Sequence, residues 1–127
     1  MLDAVWAPGM RLFPHDHLMW AVIGIYAGQE DNAFYRRRKD GPGLDLANAR
    51  SIGATEVITL GVDAIHAVTN PQRKYTSAIH VYGGDFFALE RSEWDTPEAA
   101  EQPYNLQRTM QVFVDANERA KALLAGG

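Results

Sequence analysis

His15-Asp16-His17 and His66-Ala67-Val68-Thr69-Asn70 hold three of the chain's four histidines, and their placement constrains the fold more than any other feature. On a strand, residues i and i+2 face the same side, so His15 and His17 can point together at one ion. Histidine is the commonest metal ligand among side chains. His66 comes from a distant part of the chain. Brought in on another strand, it completes a three-nitrogen site with positions left open for substrate.

The surrounding residues read as short strands between turns. Apolar or alternating runs predict strands at residues 10–17, 20–26, 33–39, 54–60, 64–69 and 75–82, with a last one at 86–91. Pro14 is tolerable at an edge or bulge. Turns are expected over residues 27–32, at Asp40-Gly41-Pro42-Gly43, at Gly61-Val62-Asp63 and at Gly83-Gly84-Asp85. Many short strands at regular spacing indicate an antiparallel sandwich or barrel, here over about residues 1–92. The tail predicts a helix over about 105–125 with Asn105 as N-cap. Leu106, Met110, Phe113, Val114, Asn117, Lys121 and Leu124 recur at helical spacing and define the face expected to pack on the barrel. Nothing marks a boundary, so residues 1–127 are expected to form a single domain.

Composition excludes several classes. A net charge of −4 argues against a nucleic-acid partner. Arg36-Arg37-Arg38-Lys39, the only basic run, reads as a solvated strand end, the alternative being that one arginine faces inward and holds an anionic substrate. With no cysteine, the chain has no disulfide, thiolate metal ligand or cysteine nucleophile, which is compatible with the expected cytoplasmic location. No stretch approaches the length of a transmembrane helix, and Met1-Leu2-Asp3-Ala4 lacks the features of a signal peptide, so no membrane association is expected.

The histidine motifs resemble those of the cupin superfamily. Gly9, five residues, His15-Asp16-His17, three residues, Ala21, six residues and Gly28 match the first cupin motif in spacing, with Ala21 where a carboxylate ligand usually stands. His66, three residues and Asn70 match the end of the second. The resemblance implies an all-β double-stranded β-helix, a jelly-roll barrel, with a C-terminal α-helix. It also implies a metal centre of His15, His17 and His66. Three neutral imidazoles leave the full divalent charge on the metal, which favours anionic ligands, and the set suits iron, nickel, copper or zinc.

Ala78-Ile79-His80-Val81-Tyr82-Gly83 resembles the His-x-Tyr strand of the cysteine dioxygenase-like thiol dioxygenases. Trp6-Ala7-Pro8-Gly9 and Trp20 with Gly24 resemble bacterial members of that family. The resemblance implies a mononuclear Fe(II) enzyme that uses O2 to oxidise a small thiol to a sulfinic acid, with His80 and Tyr82 as a hydrogen-bonded catalytic pair beside the metal. His80 and Tyr82 are two apart, so strand geometry independently puts them on one face. Ala78 replaces the serine that usually precedes this histidine, so the hydrogen-bond chain is expected to end at His80 or at water. The chain is also expected to be a short form without the N-terminal segment whose arginine holds the substrate carboxylate. Arg11, Arg36 and Arg37 are the candidate replacements, with Trp20 as a further substrate contact. Competing readings are a cupin metalloenzyme with a non-thiol substrate and a non-catalytic metal-binding or sensing cupin. A homodimer is the expected assembly, because a short cupin often needs a partner over its sheet edges.

Overall fold

Turn-forming residues cut the chain before its helix into ten short strands: β1 (Leu2–Trp6), β2 (Arg11–Asp16), β3 (Ala21–Ala27), β4 (Gln29–Arg37), β5 (Leu44–Gly53), β6 (Val57–Leu60), β7 (Ile65–Thr69), β8 (Thr76–Tyr82), β9 (Ser92–Glu93) and β10 (Gln102–Pro103). A single helix, α1 (Leu106–Gly126), follows. The computed structural model describes residues 1–126, with side chains through residue 123, so Leu124 of the expected helix face lies outside the described side chains. No helix among the described residues is long and apolar enough to cross a membrane.

Every strand pair is antiparallel. One sheet has the order β1-β8-β3-β6 and the other β10-β9-β2-β7-β4-β5. In the second sheet β2 lies beside β7 with His15 opposite His66, which brings the two histidine motifs to one place. The β2–β7 register shifts between Leu12 and His15, around Pro14. Proline has no N–H for a ladder bond, so a bulge is where it fits, and a bulge re-aims the side chains that follow.

Three apolar clusters hold these layers, the smallest being Leu44, Ile65 and Trp94. Ile23, Ile25, Ile58, Leu60 and Ala78 from the first sheet pack with Ile52 of β5. Trp6, Met10, Leu12 and Val68 pack with Ala116 and Ala120 of α1. The helix start is anchored through Glu93, which is fully buried. Its carboxylate accepts the Asn105 N–H at 2.7 Å and an Arg108 Nη1–H at 2.6 Å. Asn105 caps the helix as expected, its Oδ1 accepting the Arg108 N–H at 3.3 Å.

Several expectations are corrected. Residues 27–32 are not a turn: β4 starts at Gln29, directly after Gly28. Polar Glu30 and Asn32 mimic turn composition but are buried at alternate positions of a strand. β5 was not expected, because its middle is almost wholly solvent-facing and shows no apolar alternation. Residues 86–91 form turns rather than a strand, and β9 and β10 carry the second sheet past residue 92. The face of α1 that packs inward carries Thr109, Phe113, Ala116 and Ala120, whereas Met110, Val114 and Lys121 are exposed. Small alanines let the helix approach Trp6 closely, so size rather than hydrophobicity chose the face.

Gly28 makes the β3–β4 corner possible. Its φ is +85°, and a Cβ there would lie 2.8 Å from the Thr76 Cα. The Thr76 hydroxyl stitches the same corner, donating to the Gln29 carbonyl at 2.7 Å and accepting the Gln29 N–H at 3.0 Å. Gly28→Ala should therefore lower stability by about 2 kcal/mol or more, combining left-handed strain with a backbone clash. Urea unfolding measures it, and a change below about 0.5 kcal/mol would contradict this account.

Candidate metal centre

His15 sits on β2, His17 follows one residue past its end, His66 enters from β7, and all three are buried. Their metal-binding nitrogens converge within 4.8 Å of one another. His17 Nε2 is 3.1 Å from His15 Nε2 and 3.3 Å from His66 Nε2.

The outer nitrogens decide what those inner nitrogens can do. His15 Nδ1–H donates to the Phe13 carbonyl at 3.0 Å, and His66 Nδ1–H donates to Asn32 Oδ1 at 2.7 Å. Each neutral ring then presents a bare Nε2 lone pair toward His17. A neutral His17 has at most one N–H to offer there, so at most one of the two contacts is a well-made hydrogen bond and the other acceptor is left unserved unless a cation lies between the rings. Protonation is a poor remedy. Burial lowers the His15 pKa to about 4 and the His17 pKa to about 2, the latter also through its charged neighbours, and burial holds His66 well below its ordinary value. A metal ion is the better cation. Nitrogens about 2.1 Å from one ion lie about 3.0 Å apart at right angles and about 3.4 Å apart at tetrahedral angles. The observed 3.1 and 3.3 Å fall in this range. The donor set therefore fits a divalent transition metal.

Behind His66 runs a buried polar chain that sequence reading missed. Asn32 Nδ2–H donates to Glu30 Oε1 at 2.9 Å, and Glu30 Oε2 lies 3.8 Å from His80 Nε2. Glu30 is fully buried, and its nearness favours a proton on His80 Nε2. His80 Nδ1 is then free to accept the Tyr82 hydroxyl at 2.9 Å. The direct hydrogen-bond chain thus ends at His80, as expected; Glu30 stands behind it at 3.8 Å, within range of its charge but not of a hydrogen bond. Tyr82 brings the chain back to the ligands, its ring standing edge-on to His17 with centroids 5.0 Å apart. Burial, and then the Glu30 charge, raise the Tyr82 pKa, so the phenol keeps its proton.

The histidines and Tyr82 open on a cavity of about 370 Å³ whose other walls are largely apolar, including Trp6, Phe86, Leu106 and Phe113. None of Arg11, Arg36, Arg37 or Trp20 lines it. Arg11 lines a groove with Asp31 and Arg50 instead, and Arg36 is exposed on β4. Arg37 pairs with Glu101 at 2.8 Å and reaches Asp16 at 3.5 Å. Trp20 is half-exposed and lies over Gly83, where any Cβ would strike its indole. The arginine beside the cavity is Arg91, buried behind Phe86 and Tyr104. Asn70, the last residue of the second motif, is structural. Its amide donates to the carbonyls of Trp6, Ala7 and Lys74 and closes the turn after β7.

Two facing antiparallel sheets with a buried three-histidine group at one end define a cupin-type barrel, and comparison with solved structures agrees. A recombinant oxalate oxidase in complex with glycolate superposes with a TM-score of 0.54 at 17% identity, over 65% of this chain and 40% of that one. Another oxalate oxidase structure gives 0.53 at 16% identity, over 98% of this chain and 62% of the other. A Cupin 2 conserved barrel domain protein from Salinispora arenicola CNS-205 gives 0.51 at 22% identity, over 65% of this chain and 60% of that one. The chain thus spans 40% to 62% of the length of these structures. It has the cupin fold. No family model matches the sequence.

Proposed function

We propose that this chain is a mononuclear, metal-dependent dioxygenase that oxidises a small thiol to a sulfinic acid, with Fe(II) held by His15, His17 and His66. The observation that carries the reading is the meeting of three neutral imidazole nitrogens, two with fixed lone pairs, at the base of a largely apolar cavity. Bound there, Fe(II) supplies open coordination positions and the one-electron steps that let O2 react with a closed-shell substrate. The reaction balances without another reductant: R–SH plus O2 gives R–SO2H, sulfur losing four electrons and both oxygen atoms ending on it.

The chain's own side chains account for the rest. The apolar walls exclude water from the reacting sulfur. The Asn32 acceptor fixes the His66 ring and its tautomer. Tyr82 keeps a neutral hydroxyl at the cavity wall, with His80 behind it to accept its proton and Glu30 behind His80 to stabilise the charge that follows.

Oxygen consumption by iron-loaded protein across a panel of small thiols tests the reading. Thiol-dependent uptake with sulfinate as product is expected. No uptake with iron bound would sink it, and uptake driven only by sulfur-free acids would reassign the substrate class.

A further inference from the structure

Above the three histidines the cavity wall presents carbon. Val5 comes from β1, Val68 from β7, Phe86 and Phe87 from the turns after β8, and Leu106 and Phe113 from α1. No lysine or arginine is among the lining residues, and Asp3 is the one acid. Asp3 is exposed, and its Oδ1 accepts the Tyr26 hydroxyl at 2.8 Å. The other polar groups are engaged or sealed. The Tyr82 hydroxyl donates to His80 Nδ1 at 2.9 Å. Trp6 Nε1, His80 Nε2 and Thr109 Oγ1 lie beneath the wall, closed to solvent and so to a guest. Arg91 is not in the lining: its guanidinium sits against the Phe86 and Tyr104 rings, and those rings face the cavity in its place.

The way in is apolar too. Val5, Phe87 and Met110 all line the cavity, yet they are 41%, 61% and 55% exposed, so they stand where it meets solvent. They come from β1, the turns after β8 and α1. Single apolar side chains on a surface are ordinary, but three converging on one opening mark a place that meets an apolar partner. A carboxylate passing this collar would exchange its water for carbon, with no donor in the wall to replace it. A hydrocarbon chain would instead gain about fourfold in affinity for each methylene buried.

We infer that the guest of this site is a neutral thiol with a hydrocarbon body, its sulfur toward the histidines and its body against α1 and Phe87, selected by burial rather than by an ion pair. The sulfur end rests on the function proposed above; the neutral body rests on the wall alone. The test uses Co(II)-loaded protein, whose visible spectrum reports sulfur ligation, titrated with three thiols of nearly one length: 1-butanethiol, 3-mercapto-1-propanol and 3-mercaptopropionate. Affinity should fall in that order, by at least about tenfold from first to last. It should also rise about fourfold per methylene from 1-propanethiol to 1-pentanethiol. The cavity of about 370 Å³, room for about a dozen waters, has space for the longest of these. Leu106→Arg, which supplies the cation missing from the α1 wall, should narrow the gap between 1-butanethiol and 3-mercaptopropionate at least about tenfold at unchanged cobalt content.

Tighter binding of 3-mercaptopropionate by the wild type, or affinity that is flat with chain length, overturns the neutral body and leaves the thiol reading standing. If no thiol alters the spectrum, the sulfur-free pair toluene and benzoate decides by thermal stabilisation of the same cobalt protein. Greater stabilisation by toluene keeps the apolar guest without the thiol, and the reverse order or no stabilisation removes both. Should Leu106→Arg fail to fold, Met110→Lys carries the comparison, because Met110 is half-exposed and lysine is a good helix former. A gap that the folded variant leaves unmoved takes the body away from the α1 wall and overturns the placement.

Discussion

His66→Ala should abolish metal binding and leave a folded barrel. The three ligands sit on neighbouring strands whose pairing does not depend on the imidazole of His66, since β7 is hydrogen-bonded to both β2 and β4 along its length. Removing the ring leaves two nitrogens and a gap on the β7 side. Loss of a residue that only orients a ligand weakens metal binding by about 10- to 100-fold. Loss of a ligand outright should exceed about 100-fold. Metal content after dialysis and thermal melting with and without added metal read the result together. A metal at a hundred times its dissociation constant stabilises the wild type by about 2.7 kcal/mol, and that shift should vanish in the variant. The variant also leaves Asn32 Oδ1 without its donor, so a modest loss of metal-free stability is expected. Unchanged metal content would show that the three-histidine centre is wrong.

Tyr82→Phe should separate chemistry from binding. The phenol touches no ligand nitrogen by hydrogen bond; its hydroxyl pairs with His80 Nδ1. Deleting it should leave metal content unchanged and cost folding about 1 kcal/mol, since His80 Nδ1 loses its one protein partner. A positioned proton donor or acceptor contributes about 10²- to 10⁴-fold to a rate. The turnover number for thiol-dependent O2 uptake should fall by at least about 100-fold, with little change in the thiol concentration needed for half-saturation. That pattern marks a group acting in the transition state rather than in binding. Activity within twofold of wild type would remove Tyr82 from the mechanism.

Legibility in the sequence followed the physics of each signal. His15, His17 and His66 could be read because the two-residue period of a strand and the turn-bounded motifs fix their geometry locally. His80 and Tyr82 were legible for the same reason. Glu30 and Asn32 were not. A buried strand with inward polar residues has the composition of a turn, and only the tertiary partners His66 and His80 explain it. Arg91 was hidden differently. Its segment, with Phe86 at the other end, reads as an apolar strand until the turns are seen, and its burial against the Phe86 and Tyr104 rings is a tertiary contact. β5 was lost because an edge strand facing solvent carries no apolar alternation. The helix was legible in position but not in orientation, since alanine is weak evidence for a buried face until a large residue such as Trp6 is found against it.

The cavity takes its reactive floor from β2, β7 and β8, but much of its remaining wall, Phe86, Phe87, Tyr104, Leu106, Met110 and Phe113, comes from the chain after β8. The three histidines and much of the cavity's aromatic wall thus come from separate stretches of the chain, with β1 adding a third stretch of wall. Substitution at the lining positions of the tail can reshape the cavity without touching a histidine, whereas Glu93, paired with His15, ties that same tail to the centre. A library confined to Phe86, Phe87, Tyr104, Leu106, Met110 and Phe113 is therefore the economical way to vary what this cavity admits.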